Sequence, residues 1–505
     1  WQLAMQSEID CLLKNKTYIL VEKPKNCNVV KNKWVYKIKR DSNGEISKFK
    51  ARLVAKGCSQ KLGIDYNETF SPVVRYSSLR LLFALAVKLN LKIDHLDVET
   101  AFLNGDLKET IFMAQPEGFV KKGEEHKVCL LNWAIYGLKQ ASRNWYEKTK
   151  DVFLKLNFKQ SDYEQCIFSK INGEKVIIVA LYVDDYFVFY NDNSECKKLK
   201  IELKANFNIK DLGSAKQVLG MTIERDTSKG TLKLHHKQFI LNLLSKFGMS
   251  EAKPIGTPLE PGLKLEKIEK SDGSYPYQEL VGSLMYLSVT CRPDIAYSAS
   301  YLSQFNCAHN KSHFLAAKRV LRYLKATVDY GIEFLKSDGP LKCYVDADWG
   351  NDLIDRKSYS GFVFTMCGGA VHWESKKQRI VSLSSTEAEY ISLSDGSREA
   401  IYLYNFIQNL IGTLSVYSSL IPKHGLLMMC DNQSALTLAN NYVSNKRSKH
   451  IHIRYHYVRE LVQSNKIKIE HLSTKEMLAD FLTKSVPKEK HMFCCNGVGL
   501  RLLNS

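Results

Sequence analysis

The chain has 505 residues, enough for two to four domains that each have their own core. With 45% hydrophobic and 25% charged residues its composition is that of a globular protein, which excludes a disordered or fibrous chain. Lys and Arg outnumber Asp and Glu by 72 to 53, and the net charge of +19 favours a polyanionic partner over a merely soluble basic protein.

The cysteines and the apolar segments indicate a cellular compartment. The 13 cysteines are odd in number and include no CxxC pair, so we expect reduced, mostly buried thiols in an intracellular protein. No apolar run has the length needed to span a bilayer and none reads as a secretory leader, so we expect no membrane partner. Trp1 stands in an amphipathic pattern with Met5, Ile9 and Leu12, and we expect a chain cut from a longer polypeptide.

The first hundred residues predict a basic hairpin, a helix and a strand. Residues 33–39 alternate apolar and basic side chains, the turn DSNG follows, and the alternation resumes over residues 46–54. Ten Lys or Arg lie between Lys31 and Lys61 against two acids, so this hairpin should have a basic face. A helix with an N-capping serine is predicted over residues 77–90, and a strand should end near Asp97.

Further along the chain, the type of predicted secondary structure changes twice. A long helix is expected around residues 145–156, followed by a hairpin that contains LYVDDYFVFY at 181–190. Loops and two helical segments, 277–287 and 312–325, come after residue 253, and an α/β pattern begins at Leu341 with LKCYVDADW. We therefore place domain boundaries near residues 250 and 336.

Two adjacent aspartates interrupt the apolar hairpin. Asp184 and Asp185 join the runs VIIVALYV and YFVFY, so both carboxylates should sit at a tight turn. Their mutual repulsion near a core requires compensating cations, and a two-metal site needs a third acid from another strand. Asp97 in HLDVETAFLNG is the best candidate. Without further support, an ordinary acidic hairpin turn would be the simpler interpretation.

Several long motifs occur in a fixed order along the chain. They are KARLVAKG, GIDYNETFSPVV, HLDVETAFLNG, AIYGLKQASRNWY, LYVDD, KDLGSAKQVLGM, YPYQELVGSLMYLSVTCRPDI, RVLRYLKAT, RKSYSGFVF, SSTEAEYISL and HIRYHYVRE. Together they resemble the reverse transcriptase and ribonuclease H region of Pol polyproteins from copia-type (Pseudoviridae) LTR retrotransposons.

The resemblance implies a fold and a division of the chain. The expected fold is an α+β right-hand polymerase with fingers, palm, thumb and connection, followed by an α/β ribonuclease H-like domain. Residues 1–250 would form the fingers and palm, 251–335 a helical thumb and connection, 336–485 the ribonuclease H-like domain, and 486–505 a C-terminal tail.

For the first acid set, the resemblance implies a catalytic, metal-binding triad of the palm. Asp97, Asp184 and Asp185 would bind two Mg²⁺ ions, with Mn²⁺ as an alternative, that activate the primer 3′-hydroxyl and hold the triphosphate.

Four further residues would contact the incoming nucleotide. Phe102 would exclude the ribose 2′-hydroxyl, Gln140 of GLKQ would touch the nucleotide, and Lys50 and Arg52 would neutralise the triphosphate. On the residues alone, Phe102 could equally be a core residue and Lys50 a solvated one. Ser142 replaces a proline that is frequent in the family, which affects the expected turn after Gln140.

A second series of acids matches the pattern of a ribonuclease H fold. These acids would again be catalytic and would bind two metal ions. Asp346 and Asp431 are predicted at strand ends, and Glu389 and Asp480 are predicted in helices. Asp348 and Glu387 are rivals, each two residues from a chosen acid. Asp346 directly ends the apolar strand, and YISL after Glu389 resembles the pattern that follows the family's glutamate.

Three histidines in KHIHIRYHYVRE suggest zinc at first sight. No cysteine or acid completes a site around His450, His452 and His456 at the usual spacing, so structural or nucleic-acid contacts are favoured. His452 replaces a residue that is usually aspartate in the family.

The resemblance implies an RNA-directed DNA polymerase that also degrades the RNA of an RNA–DNA hybrid. Its partners would be an RNA template, a DNA primer and product, the hybrid, deoxynucleoside triphosphates, and the integrase, protease and capsid segments of the same polyprotein. We expect it in the cytoplasm within virus-like particles, with access to the nucleus as an open alternative. The rival interpretations are a domesticated or inactive nucleic-acid-binding relic of the same fold and a different two-metal polymerase.

Overall fold

The computed structural model describes residues 1–40, 45–271, 273–352, 354–440 and 452–503. The chain forms two compact units: unit 1 comprises Trp1–Val74 and Asp94–Gly213, and unit 2 comprises Arg75–Ile93 and Ser214–Ser505. Within the described ranges, no helix combines the length and the apolar character that crossing a bilayer requires. All 13 cysteines are free and nine are buried, which confirms the predicted mostly buried thiols.

The strands and helices are numbered in chain order. The strands are β1 (Tyr18–Glu22), β2 (Val29–Val30), β3 (Asn32–Arg40), β4 (Ile46–Ala55), β5 (Lys92–Val98), β6 (Phe112–Met113), β7 (Lys127–Leu131), β8 (Lys159–Gln160), β9 (Ile167–Asn172), β10 (Lys175–Tyr182), β11 (Asp185–Tyr190), β12 (Ile209–Ser214), β13 (Gln217–Val218), β14 (Met221–Asp226), β15 (Thr231–His235), β16 (Tyr330–Leu335), β17 (Lys342–Ala347), β18 (Tyr359–Met366), β19 (Gly369–Lys377), β20 (Leu426–Cys430), β21 (Ile467–His471) and β22 (Leu500–Leu502). The helices are α1 (Gln2–Lys14), α2 (Tyr76–Lys88), α3 (Ala141–Lys155), α4 (Asn193–Asn206), α5 (Lys237–Lys246), α6 (Tyr277–Thr290), α7 (Ala296–Ser303), α8 (Lys311–Ala326), α9 (Ser385–Ile411), α10 (Tyr417–Leu420), α11 (Gln433–Asn440), α12 (His452–Gln463) and α13 (Lys488–Gly497).

A six-stranded sheet organises unit 1, with the strand order β12-β5-β11-β10-β9-β8. Its central pair, β10 and β11, is antiparallel and buried along almost its whole length. Valine, isoleucine and aromatic side chains suit such a position because both faces of the sheet are covered. Tyr182 pairs with Asp185, so Val183 and Asp184 form a two-residue turn. This confirms the predicted hairpin, but its turn lies one residue earlier than predicted, so Asp185 is the first residue of β11.

The basic hairpin of unit 1 is the antiparallel pair β3–β4, and its predicted turn at residues 41–44 lies outside the described residues. Lys33, Lys37, Lys50 and Arg52 alternate onto one face, because successive side chains in a strand point to opposite sides. The other face receives α1, where the Trp1 ring lies 4.9 Å from the Tyr36 and Phe49 rings. The hairpin and its basic face were therefore predicted correctly.

Gly137 fixes the segment between β7 and α3 against β4. Its φ is +92°, and a Cβ atom there would lie 2.1 Å from the Ala55 carbonyl oxygen. Only glycine permits this approach, and it lets the Ala55 N–H donate to the Tyr136 carbonyl at 2.8 Å. Helix α3 begins directly after Gln140 even though Ser142 replaces the family's proline, and the Ser142 carbonyl accepts a hydrogen bond from the Ser71 hydroxyl.

Unit 2 contains two five-stranded sheets and a group of helices. In one sheet, with the order β19-β18-β17-β20-β21, β17 to β19 are antiparallel and β17, β20 and β21 are parallel. Helix α9 packs across this sheet, which agrees with the α/β class predicted for this part of the chain. Helices α6 and α8 confirm the two predicted helical segments, whereas α7 was not predicted.

The other sheet of unit 2, with the order β13-β14-β15-β16-β22, joins distant parts of the chain. It includes strands from before residue 250 and one strand from the predicted C-terminal tail, which also contains α13. The division of the chain into four functional segments stays a prediction.

The predicted cap of α2 is wrong. The helix begins at Tyr76 after Arg75, no side chain caps it, and Ser77 is buried in its first turn. Almost every side chain of α2 is buried, so packing sets where the helix begins and the capping preference of serine does not.

Candidate active sites

The first candidate site lies at the β10–β11 turn of unit 1. The Val98 N–H of β5 donates to the Asp184 carbonyl at 2.8 Å, which places the end of β5, with Asp97, beside the turn. Asp97, Asp184 and Asp185 are all half-buried. The structure therefore brings the three acids of the first series together.

The charges of the neighbouring acids act on Asp184. Burial raises the pKa of Asp184 above its ordinary value, Asp185 and Asp97 raise it further, and Arg52 opposes this rise. Carboxylates that repel one another in a half-buried setting offer hard oxygen ligands to a divalent cation. The residues present thus fit a divalent metal site.

A histidine that sequence reasoning missed contacts this site. Nε2 of His95, on β5, lies 2.6 Å from Oδ1 of Asp185, and the imidazole stacks on the Phe187 ring at 4.7 Å. His95 stands two residues before Asp97 in β5, so the side chains of these two residues point to the same side of the strand. That spacing was the available signal, but a lone histidine carries little information by itself.

Tyr136 connects two of the predicted nucleotide-binding residues. The Arg52 guanidinium lies 4.2 Å above the Tyr136 ring and donates to its hydroxyl at 3.2 Å. The Phe102 ring meets Tyr136 edge-on at 4.8 Å. Burial raises the pKa of Tyr136, Arg52 lowers it, and Asp184 raises it, so this group lies within electrostatic reach of the acids. Lys50 precedes Arg52 by two residues on the same face of the hairpin.

Gln140 has a different environment from the other three. It is buried, and its Nε2 donates to the Asp65 carbonyl at 2.8 Å and to Oε2 of Glu109 at 3.2 Å. Its Oε1 accepts a hydrogen bond from Gln60 at 3.0 Å. The amide thus ties two loops to the start of α3, and the nucleotide contact stays a prediction.

The second candidate site is in unit 2, where three of the four predicted acids meet. One carboxylate oxygen each of Asp346, Glu389 and Asp431 lies within 4.8 Å of the others. Asp346 is at the end of β17, Glu389 is in the second turn of α9, and Asp431 directly follows β20. The Ser392 hydroxyl donates to the Asp346 carbonyl at 2.7 Å and so ties α9 to β17.

Burial makes this cluster unfavourable without a cation. It raises the pKa of Asp346 to about 6, against the effect of the nearby Lys484. Burial and the charges of Asp346 and Asp431 raise the pKa of Glu389 well above its ordinary value. Oε2 of Glu389 is buried and lacks a hydrogen-bond partner among the described residues. An orphaned buried carboxylate oxygen beside two further acids fits a divalent metal ion.

Asp480, the fourth predicted acid, is not part of this group of three. It lies in a single 3-10 turn, Ala479–Leu482, whereas the sequence predicts a helix there. Its Oδ1 pairs with Lys484 at 2.6 Å and its Oδ2 with Lys490 at 2.9 Å. Lys484 also lies 3.5 Å from Asp346, and it therefore links Asp480 to the cluster. The motif ADFLTK contained this lysine, but its ion pairs depend on the fold.

The two rival acids make structural contacts. Glu387 is buried, and its Oε2 accepts a hydrogen bond from the Leu383 N–H at 2.7 Å ahead of α9. Asp348 accepts a hydrogen bond from the Tyr359 N–H, and burial raises its pKa to about 7. The preference for Glu389 and Asp346 over these two rivals stays a prediction.

Other possible metal ligands are less favourable. Asp294, His491 and Cys495 lie within 4.8 Å of one another, but the buried Arg292 guanidinium already pairs with Asp294 at 2.6 Å. A cation next to that guanidinium would be repelled. Of the three histidines considered for zinc, His456 is exposed on α12, His450 lies outside the described residues, and the side chain of His452 is not described.

Comparisons with known proteins identify relatives of this chain. A family model described as reverse transcriptase (RNA-dependent DNA polymerase) matches residues 15–261. The retrovirus-related Pol polyprotein from transposon TNT 1-94 of Nicotiana tabacum is 43% identical over 506 residues, which cover 98% of this chain and 37% of that protein. The corresponding polyprotein from transposon RE1 of Arabidopsis thaliana is 37% identical, over 99% of this chain and 34% of that protein. The chain thus spans little more than a third of these relatives.

A shorter relative and a solved structure extend the comparison. The putative transposon Ty5-1 protein of Saccharomyces cerevisiae is 34% identical over 305 residues, which cover 59% of this chain and 98% of that protein. A foamy viral protease-reverse transcriptase, solved in complex with RNA/DNA hybrid, is 12% identical with a TM-score of 0.49, over 96% of this chain and 54% of that chain.

Proposed function

The chain belongs to the reverse transcriptase family of copia-type retrotransposon Pol polyproteins, and from this premise we propose that it is an RNA-directed DNA polymerase with ribonuclease H activity. The observation that carries the proposal is the meeting of Asp97, Asp184 and Asp185 at the β10–β11 turn. The same family membership agrees with the predicted fold class of a right-hand polymerase followed by a ribonuclease H-like domain.

In the polymerase site, the three aspartates would hold divalent metal, which we take to be two Mg²⁺ ions, with Mn²⁺ as the alternative. When bound, such ions would lower the charge on the phosphates and activate the attacking hydroxyl. The backbone hydrogen bond from Val98 to Asp184 keeps Asp97, on β5, beside the β10–β11 turn. The protein would therefore fix the geometry of the metal ligands before substrate binds.

On the nucleotide side, Arg52 and Lys50 would neutralise the triphosphate of a deoxynucleotide. The Arg52 guanidinium is stacked on Tyr136 and so is preorganised for charge-assisted hydrogen bonds. Phe102, held edge-on by Tyr136, would present its ring to the sugar. Gln140 would contribute to nucleotide binding indirectly, by holding in place the loops to which its amide is hydrogen-bonded.

In unit 2, Asp346, Glu389 and Asp431 would hold divalent metal for cleavage of the RNA strand in an RNA–DNA hybrid. Asp480 would join the site through Lys484, whose ammonium lies between Asp480 and Asp346. When bound, the metal would supply an activated water for phosphodiester hydrolysis. The Lys484 ammonium would add positive charge beside the scissile phosphate.

The polyanionic partners follow from this proposal and from the net charge of +19. RNA template, DNA primer and product, and the hybrid would bind through their backbones, so binding should weaken as salt increases. The integrase, protease and capsid segments of a Pol polyprotein would be further partners, and virus-like particles in the cytoplasm the place of action. An inactive nucleic-acid-binding relic of the same fold is the alternative, and the presence of all seven acids argues against it.

Primer extension on an RNA template tests the polymerase proposal. The wild-type chain should extend a DNA primer only when divalent metal is present. Asp185→Asn should lower the extension rate by at least a hundredfold while primer–template binding stays within about twofold, because one metal ligand is lost. Asp151, an exposed acid on α3, provides the matched control Asp151→Asn, which should extend like wild type. A wild-type chain that binds the template but never extends would favour the relic.

A further inference from the structure

Val183, at the β10–β11 turn, has a strained backbone. Its φ is +56°, and it is the first of the two turn residues between the paired Tyr182 and Asp185. A positive φ at this position of a two-residue hairpin turn normally selects glycine, because a β-branched side chain crowds the backbone there. Among the described non-glycine residues with positive φ, only Thr100 is also β-branched. Contacts around the turn must therefore hold this conformation.

Trp145 supplies such a contact from outside the sheet. Its indole N–H donates to the Val183 carbonyl at 2.7 Å. The indole is 2% exposed and packs edge-on against the Phe207 ring at 5.0 Å, so its orientation is fixed by packing. Trp145 and Val183 also line a cavity of about 250 Å³ behind the turn.

Each of the three consecutive residues from Val183 to Asp185 is anchored by a different partner. Trp145 binds the Val183 carbonyl, the Val98 N–H binds the Asp184 carbonyl, and His95 contacts the Asp185 carboxylate. The last two partners belong to β5, the neighbouring strand, whereas Trp145 belongs to α3. The indole therefore controls the peptide plane between Val183 and Asp184, and this plane sets the direction of the carboxylates.

We propose that Trp145 is a positioning residue for the polymerase reaction, one that holds the strained Val183 conformation so that Asp184 and Asp185 meet the metal in one geometry. This inference rests on the proposed polymerase function. Trp145 acts through the Val183 carbonyl and does not itself touch the reacting atoms.

Trp145→Phe tests the inference because phenylalanine keeps an aromatic ring and removes the N–H donor. The rate constant kcat for nucleotide incorporation should fall tenfold to a hundredfold, while KM for the deoxynucleotide and Kd for the primer–template stay within threefold. Mn²⁺ binding, followed by electron paramagnetic resonance in an Asp431→Asn background that weakens the second site, should weaken at least threefold.

Val183→Gly provides the rescue experiment. Glycine adopts positive φ without strain, so the turn should depend less on the indole in this variant. The loss of kcat caused by Trp145→Phe should therefore be at least threefold smaller in the Val183→Gly background than in wild type. A double-mutant cycle measures this coupling directly.

Trp373→Phe is the matched control. Its indole N–H also donates to a backbone carbonyl at 2.7 Å, that of Ser288, but in unit 2. This variant should keep wild-type extension and Mn²⁺ binding even where the midpoint of thermal unfolding falls.

Four outcomes separate the possibilities. A wild-type chain that does not extend primers defeats the proposed function, and the Mn²⁺ titration of Trp145→Phe then still supports or overturns the positioning role. If Trp145→Phe matches wild type in both kcat and Mn²⁺ binding, the inference is overturned. Weakened primer–template binding in parallel with kcat overturns it in favour of general packing. Equal losses in the valine and glycine backgrounds overturn it as well.

Discussion

Tyr136 is the residue at which the acids of the first site meet the residues proposed to bind the nucleotide. Its ring supports the Arg52 guanidinium at 4.2 Å and meets Phe102 at 4.8 Å, while Asp184 influences its pKa. Phe102 is half-buried and therefore leaves part of its ring accessible, although it also packs against the core of unit 1. The geometry thus allows both roles considered for Phe102, a sugar-contacting ring and a packing residue.

Replacing Phe102 by valine distinguishes these two roles. If the ring excludes a 2′-hydroxyl, Phe102→Val should admit ribonucleotides and lower the discrimination by about 1–3 kcal/mol, by analogy with other pocket-size effects. The measurement is the ratio of kcat/KM for deoxynucleotide and ribonucleotide incorporation. Phe119→Val is the control, since Phe119 packs on Trp34 at 5.7 Å in the same unit. An unchanged ratio in Phe102→Val, with a lower unfolding midpoint, would make Phe102 a packing residue only.

A site residue could be predicted from the sequence when its role is visible in the residues next to it, and could not when its role depends on a distant partner. The acids stand out because a carboxylate that interrupts an apolar run is unfavourable without a cation, and this is visible in LYVDD and CYVDAD. His95, Trp145 and Lys484 act through partners that are 90, 38 and 138 residues away in the chain. Their roles arise from tertiary contacts, which no local pattern encodes.

At the scale of elements, periodicity predicted several strands and helices, among them those that carry the first acid set, but not which strands pair across the chain. The hairpins β3–β4 and β10–β11 and the helices α6 and α8 follow directly from alternation and helical spacing. The sheet β13-β14-β15-β16-β22 was missed because it joins segments that lie far apart in sequence. The start of α2 was misplaced because its burial outweighs the local capping preference.

Helix α2 is fixed within unit 2 by the buried Arg80. Its guanidinium donates to the carbonyls of Val371, Val289 and Thr290 at 2.9, 2.8 and 2.6 Å and stacks on the Trp373 ring at 3.8 Å. Arg80 thus joins α2 to β19 and to the end of α6.

Arg80→Met should destabilise the chain because it removes the donor of three hydrogen bonds to backbone carbonyls, two of which are buried. We expect a loss of roughly 2–4 kcal/mol in the free energy of unfolding, because hydrogen bonds of a charged group are lost. Chemical denaturation monitored by tryptophan fluorescence measures this loss. Arg379→Met is the control, since Arg379 is exposed. A change of less than about 0.5 kcal/mol in Arg80→Met would show that the three bonds contribute little.

At the scale of the whole molecule, each candidate site is contained in one unit. The first acid set and its anchoring residues lie in unit 1, and the second set lies in unit 2. Each site draws its ligands from elements of its own sheet and helices, β5 and the β10–β11 turn in one case and β17, α9 and β20 in the other. The two chemistries should therefore be separable by mutation.

Reciprocal substitutions test this separation. Asp431→Asn removes one charge from the cluster of Asp346, Glu389 and Asp431 with little steric change, so cleavage of an RNA–DNA hybrid should fall by at least a hundredfold while primer extension persists. Asp185→Asn should show the reverse pattern. Both activities are measured on one preparation of each variant, and Glu476→Gln, an exposed change in unit 2, should affect neither. If all seven acids served a single site, each variant would lose both activities together, because every ligand would be needed for each reaction. Joint loss in variants that keep the wild-type unfolding midpoint would therefore contradict two independent sites.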